Sequence, residues 1–284
     1  MSLRNALDYA VWPLLLGGSV WAAHAMLELG LPPLGVTPVV VMAFLAVVAV
    51  LERIRPERSD YSAPDQPLWI EAAHFVFSFE LGYGAALLLC EVFSGAARAA
   101  VALPAWPSQA PGALQLALAV LLYEGTSYWQ HRLIHHIPWL WRFHALHHSG
   151  TRLNFLRTAR FHAIDIGSAA FVAYLPLVLL GAPDRLFTVL GVLLSALGVL
   201  QHANVRMRTP RWLDWLVCTP AVHRHHHSRA RRENDSNFGN TVMIFDVLFG
   251  TFGRPRPAGP VFVGIENDRV AAGFWGQVFP QPRR

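Results

Sequence analysis

The chain has 284 residues, of which 54% are hydrophobic and 14% charged, against roughly one quarter charged in soluble domains. That balance argues against an ordinary soluble domain and points to a membrane. All 23 basic residues are arginine, against 18 acids, so the exposed part should be basic and able to meet anionic lipid headgroups, nucleic acid or an acidic partner. Cys90 and Cys218 form no C-x-x-C pair, so nothing suggests a thiolate metal site or a disulfide framework, and both are read as small buried apolar residues.

In chain order, residues 9–31 (YAVWPLLLGGSVWAAHAMLELGL) and 36–51 (VTPVVVMAFLAVVAVL) read as apolar helices. The intervening PPLG breaks helices and suits a tight hairpin. The first stretch exceeds the about 20 residues that cross a bilayer, and the second needs its neighbours. There is no signal-peptide cleavage pattern, so this region is expected to stay uncleaved. After the charged connector ERIRPERSDYSAPDQP, a third apolar stretch covers 68–93 and a fourth runs from Gly112 to about Tyr128. A further pair, 164–180 and 185–201, is joined by GAPD.

The fold expected is an all-α integral membrane protein, a transmembrane helical bundle with a histidine-rich lobe. Arg53, Arg55 and Arg58 flank the second helix, whereas the connector 94–111 carries only Arg98. The arginine-rich side is therefore expected to be cytoplasmic, which places His131 and the later histidines inside.

Twelve of the 14 histidines fall between 131 and 227. Helical side chains three and four apart share a face. That aligns His131 with His135, His144 with His147 and His148, and His223 with His226 and His227. His225, two residues after His223, points away and reads as a surface residue; His24 and His74, alone on apolar helices, read as core or interfacial. Burying so many imidazoles without a metal would be costly, and eight or nine nitrogen donors exceed what one tetrahedral ion uses. Two ions are expected.

The series YWQHRLIHHIPWLWRFHALHHS, QHANV, TPAVHRHHHSRARRENDSNFGN and FDVLFGTF resembles the fatty acid hydroxylase superfamily, which includes sterol desaturases and alkylglycerol monooxygenase. The resemblance spans about 120–253 and implies one integrated domain in three parts. These are N-terminal transmembrane helices (1–119), a di-iron catalytic region (120–253) and a C-terminal tail (254–284). It implies a membrane-bound, O2-dependent oxidoreductase with two iron ions (Fe2+/Fe3+), held by His131, His135, His144, His147, His148, His202, His223, His226 and His227. His136 stands as an alternative to His135. Glu124, where relatives often carry aspartate, would orient a ligand imidazole; a coordination position that some relatives give to a histidine would be open, water-filled or taken by Asn204. His162 and Asn237 match recurrent family positions. Asp246 is read as an anchor of the lobe.

The reaction implied is hydroxylation of an unactivated C–H bond of a fatty acyl, sterol or related lipid, with desaturation as the alternative. A membrane metal-binding or transport protein is the rival from another class, and a haem carrier a further one; both would place their histidines along the bundle. Trp139, Trp141, Phe143, Phe155, Trp212 and Trp215 are candidates to line a lipid passage, or to sit at the membrane interface. Thirteen arginines against three acids between 131 and 232 suit phospholipid headgroups or an acidic electron donor. No electron-carrier segment is recognisable, so a separate cytochrome b5-like protein, ferredoxin or flavoprotein is expected, and no nucleic acid. The implied location is a bacterial inner membrane, multi-pass. Glu28, Glu71, Glu80 and Glu91 lie in or near apolar segments, where acids are expensive, and receive no role from the sequence.

Overall fold

The computed structural model describes residues 3–61, 65–100, 106–255 and 262–281; the side chain of Arg98, and parts of the connectors and the tail, lie outside the described residues. Helices α1 (Leu3–Glu28) and α2 (Pro33–Ile54) form the first hairpin. Gly30, at φ +82°, makes the turn, and Pro33 opens α2, where a missing N–H costs nothing. The third apolar stretch is nearly continuous: α3 (Leu68–Ala73), a π-helical segment (His74–Glu80) and α4 (Leu81–Ala100). Then come α5 (Gly112–His136), α6 (Pro138–His148), α7 (Ala163–Leu179) and α8 (Asp184–His202).

Among the described residues, four helical segments are long and apolar enough to cross a membrane: Asn5–Glu28, Pro33–Ile54, Leu68–Ala96 and Asp184–His202. Their apolar side chains face outward to an extent that water would not tolerate, with Leu34 92%, Trp21 70% and Leu88 67% exposed. The protein is a multi-pass membrane protein whose lipid face these residues form. The bundle core has two halves. In one, Trp12, Phe44 and Val48 of α1 and α2 pack on Ala196 and Leu200 of α8. In the other, Ala86 and Cys90 of α4 meet Ala119 of α5 and Ala170 and Tyr174 of α7. Helices α4 and α7 cross closely at Gly82, where a Cβ would lie 2.6 Å from the Ala163 carbonyl oxygen. Only glycine permits that approach.

Beyond α8 the chain builds a lobe of short elements: α9 (Pro220–His226), α10 (Arg231–Asn234), α11 (Ile244–Leu248) and α12 (Phe274–Gln277). Isolated β-bridges, Pro56 with Val205, Val217 with Val242 and Ser228 with Val263, stitch it together. Charged groups tie it to the bundle at one end. Asp8 pairs with Arg55 at 2.7 Å and Arg206 at 3.2 Å, and Glu52 accepts from the backbone N–H groups of Phe155 (2.8 Å) and Asn204 (2.7 Å). The start of α1 and the ends of α2 and α8 therefore meet where the histidines lie.

Candidate metal centre

Each histidine motif sits where a helix ends. Helix α5 carries His131 and His135 in its final turns. Pro138 begins α6 directly after the extended Ile137, turning the chain so that His144, His147 and His148 close on α5. Helix α9 starts at Pro220 behind Thr219, whose hydroxyl accepts from the Val222 N–H and donates to Asp214 at 2.6 Å.

Nine imidazoles gather in two buried groups. His131, His135, His144, His148 and His226 form one, and His147, His202, His223 and His227 the other; within each, one ring nitrogen per residue lies within 4.8 Å of all the rest. The H-x-x-H-H motifs divide between the groups in opposite senses. His144 and His148 enter the five-histidine group and His147 the other; His223 and His227 enter the four-histidine group and His226 the other. Helix geometry explains the split. At about 100° per residue, positions i and i+4 differ by about 40° while i+3 lies about 100° from i+4, so each motif spans two neighbouring sites.

The ring nitrogens behave as a metal requires. His131 Nδ1 donates to the Phe238 carbonyl at 2.8 Å, His202 Nδ1 to Gly198 at 2.8 Å and His226 Nδ1 to Ser236 at 2.7 Å. His144 Nδ1 donates to Asp165 at 2.8 Å. With Nδ1 carrying the proton, Nε2 presents a lone pair. The Nε2 atoms of His131 and His144 nevertheless face each other at 3.2 Å. Two lone pairs hold no proton between them, and a cation resolves the arrangement. Among the described residues, His147 Nδ1 is buried with no hydrogen-bond partner. Burial holds His147, His148, His223 and His227 well below the ordinary histidine range, so they are neutral, the state in which imidazole binds metal. The residues fit two ions of a metal that accepts nitrogen donors.

A fatty acid hydroxylase model matches residues 116–251. Ornithine lipid hydroxylase OlsE of Rhizobium tropici is 35% identical over 283 residues, covering 97% of this chain and 84% of that protein. The chain belongs to the fatty acid hydroxylase family. Alkylglycerol monooxygenases of Danio rerio and Homo sapiens are 32% and 30% identical, over 48% and 52% of this chain and 30% of each relative. No solved structure matches. As a fatty acid hydroxylase with a two-site histidine centre, the protein is an oxidoreductase of the O2-dependent oxygenase class.

Other residues singled out in the hydroxylase sequence take different places. His136 is exposed and turns back to the Arg132 carbonyl at 2.8 Å, outside both groups. Glu124 belongs to neither histidine group. Its buried carboxylate accepts the N–H groups of Asn240 (2.9 Å) and Thr241 (2.6 Å) and the Thr241 hydroxyl, so it braces the loop after the last motif. Asn204 does not reach a metal group either; its side chain clasps the Arg58 backbone with two 2.9 Å bonds. His162 caps α7, accepting from the Ile164 N–H at 3.1 Å and donating to the Val278 carbonyl at 3.0 Å. Asn237, at φ 56°, clamps Gly253 through paired 2.8 Å bonds.

His225 is buried, not on the surface as its spacing implied. It packs against Gly253, where a Cβ would come within 2.9 Å of its Nε2. Trp141 is buried against His135 and His148, with ring centroids 5.1 and 5.4 Å away. Trp139, Trp212 and Trp215 are exposed, in keeping with an interfacial position. Two contacts escaped the sequence reading: Asp165 on His144 and Asp235, 3.5 Å from His135 Nδ1. Asp165, three residues after His162 in HAID, had no spacing relation to any motif.

Proposed function

We propose that the two histidine groups hold two irons and that the protein hydroxylates an unactivated C–H bond of a membrane lipid. The observation that carries this reading is the convergence of five and four buried imidazoles on two adjacent centres, at the end of a bundle whose outer face is apolar. His131, His135, His144, His148 and His226 would hold one iron, and His147, His202, His223 and His227 the other. When bound, the iron pair supplies activation of dioxygen and the oxidising power for the C–H bond.

The chain's own residues do the rest. Neutral imidazoles leave the centre cationic, unlike the carboxylate-rich di-iron bundles. Asp165 and the backbone carbonyls of Gly198, Ser236 and Phe238 fix ring orientation by holding the Nδ1 protons. Trp141 and Phe161 pack against the rings and keep water away. The region 120–253 is the catalytic part, carried by the helices of 1–119 and backed by the tail.

The substrate enters from the lipid, and a separate one-electron donor with an acidic face supplies reducing equivalents. Arginine flanking α2 supports a cytoplasmic position for the centre, and the bacterial source of the relative that matches nearly the whole chain supports an inner membrane. That relative acts, by its name, on ornithine lipid, which makes an aminoacyl lipid the first substrate to try. Lipid extracts from cells with active protein and with a His223→Ala variant, grown under 18O-labelled dioxygen, test the reading. Label in one lipid class, absent with the variant, is expected; an unlabelled product lighter by two hydrogens would replace hydroxylation with desaturation.

A further inference from the structure

A second buried polar cluster lies beside the centre and is used by none of the contacts above. Glu71, in the first turn of α3, is 3% exposed, and Arg157 and Arg160 are each 1% exposed. The two arginines, three apart around a 3₁₀ turn at Phe155–Ala159, project to the same side. Asp65 pairs with Arg157. Glu71 Oε1 lies 3.8 Å from Arg157 Nε and 3.7 Å from Arg160 Nη1, too far for hydrogen bonds. Among the described residues, Glu71 Oε2, Arg157 Nε, and Arg160 Nε and Nη1 are buried with no hydrogen-bond partner.

Unsatisfied buried charges of this kind are costly unless something else completes them. Burial lowers the Arg160 guanidinium to about 10, so it remains cationic at neutral pH. The cluster adjoins the four-histidine group, since Phe161, next to Arg160, stacks on His147 with centroids 4.0 Å apart. The π-helical segment that follows α3 on the same helix is a form that recurs at functional sites.

We infer that Glu71 and Arg160 form a headgroup site for a zwitterionic lipid, with Glu71 accepting from an ammonium group and Arg160 donating to a carboxylate or phosphate. The inference rests on the lipid-substrate reading above. Charge balance selects the ligand class. Two guanidiniums face two carboxylates, so a headgroup of zero net charge leaves the buried region neutral, whereas an anionic lipid leaves a charge uncompensated. The missing partners are of both kinds, donors on Arg160 and an acceptor on Glu71, and a zwitterion supplies both complements.

Lipid retention by the whole chain as purified, with its metal and without a reductant so that no turnover occurs, separates this site from the oxygenase reading. The purified chain is equilibrated with mixed micelles holding equal amounts of ornithine lipid, phosphatidylethanolamine, phosphatidylglycerol and diacylglycerol, and the bound lipid is identified by mass spectrometry. Retention of a zwitterionic lipid about tenfold or more above the other two is expected; ornithine lipid alone identifies a carboxylate partner, and both zwitterions together a phosphate as well.

Glu71→Gln and Arg160→Gln should each abolish that preference. Because removal of one buried charge can unfold the chain, the paired variant Glu71→Leu/Arg160→Met, which removes both charges together, provides a folded control; it should keep wild-type iron loading and lose the preference. Unchanged preference in the folded paired variant, preference for phosphatidylglycerol, or no preference in the wild type would each overturn the assignment.

Discussion

His144 Nδ1 and Asp165 Oδ2 lie 2.8 Å apart, both buried, and join the end of α6 to the first turn of α7. The carboxylate fixes the tautomer of His144 and turns its other ring nitrogen toward the metal position. The first turn of α7, which carries Asp165, lies against Gly82 of α4.

Asp165→Asn keeps the shape and removes the charge. It is expected to weaken iron binding by about 10–100-fold, read by competition with a chelator on purified protein. Iron affinity equal to that of the parent would show that Asp165 serves α7 rather than His144.

Adjacent histidines should differ sharply. His223→Ala removes a member of the four-histidine group and is expected to lose iron and turnover. His225→Ala lies outside both groups and is expected to retain two irons per chain, at a cost in thermal stability. Metal analysis of the two variants side by side checks the contrast.

Asp246 is expected to matter for the lobe and, through it, for His131. Its carboxylate accepts from the N–H groups of Phe238 (2.8 Å) and Gly239 (2.7 Å) and from the Thr251 hydroxyl (2.7 Å). The Phe238 carbonyl in turn holds His131. Asp246→Ala leaves buried donors unpaired and should destabilise the lobe by on the order of 2–4 kcal/mol, seen as a lower melting temperature together with reduced iron content.

His162 gives a pH dependence of definite sign. Burial lowers its pKa below the ordinary 6.5, and its cap on α7 needs Nδ1 as an acceptor. As pH falls through about 6.5, the unfolded chain takes up a proton that the folded one refuses, so stability declines towards acid and is fully present above that value. His162→Asn keeps a capping acceptor without the titration. Thermal melts from pH 8 to 5 should show a smaller loss for the variant than for the parent; equal losses would assign the decline to other groups.

The fold class and the histidine gathering were legible because both rest on local periodicity: apolar runs of membrane length, and imidazoles three and four apart at helix ends. The helix break at PPLG, which contains Pro33, was likewise visible. What the sequence could not give was the third dimension. Nothing in H-x-x-H-H tells that His147 and His226 cross to the opposite group, since that depends on how α6 and α9 pack. Glu124 looked like a partner for a ring because it sits two helical turns before His131, yet the loop at Asn240 and Thr241 takes its carboxylate first. Asp165 went unnoticed for the converse reason: it is 21 residues from His144 and meets it only where α6 and α7 come together in the fold. His225 was misjudged because the lobe folds Gly253 over the face of α9 that helical spacing alone leaves open.

Iron stoichiometry measured with the optical spectrum on one preparation, for the parent chain and for His131→Ala and His202→Ala, addresses the paired-site centre most directly. Two non-haem irons per chain in the parent, with iron lost in each variant, is the expected result. A haem spectrum, zinc alone after growth with ample iron, or no more than one ion per chain would contradict it.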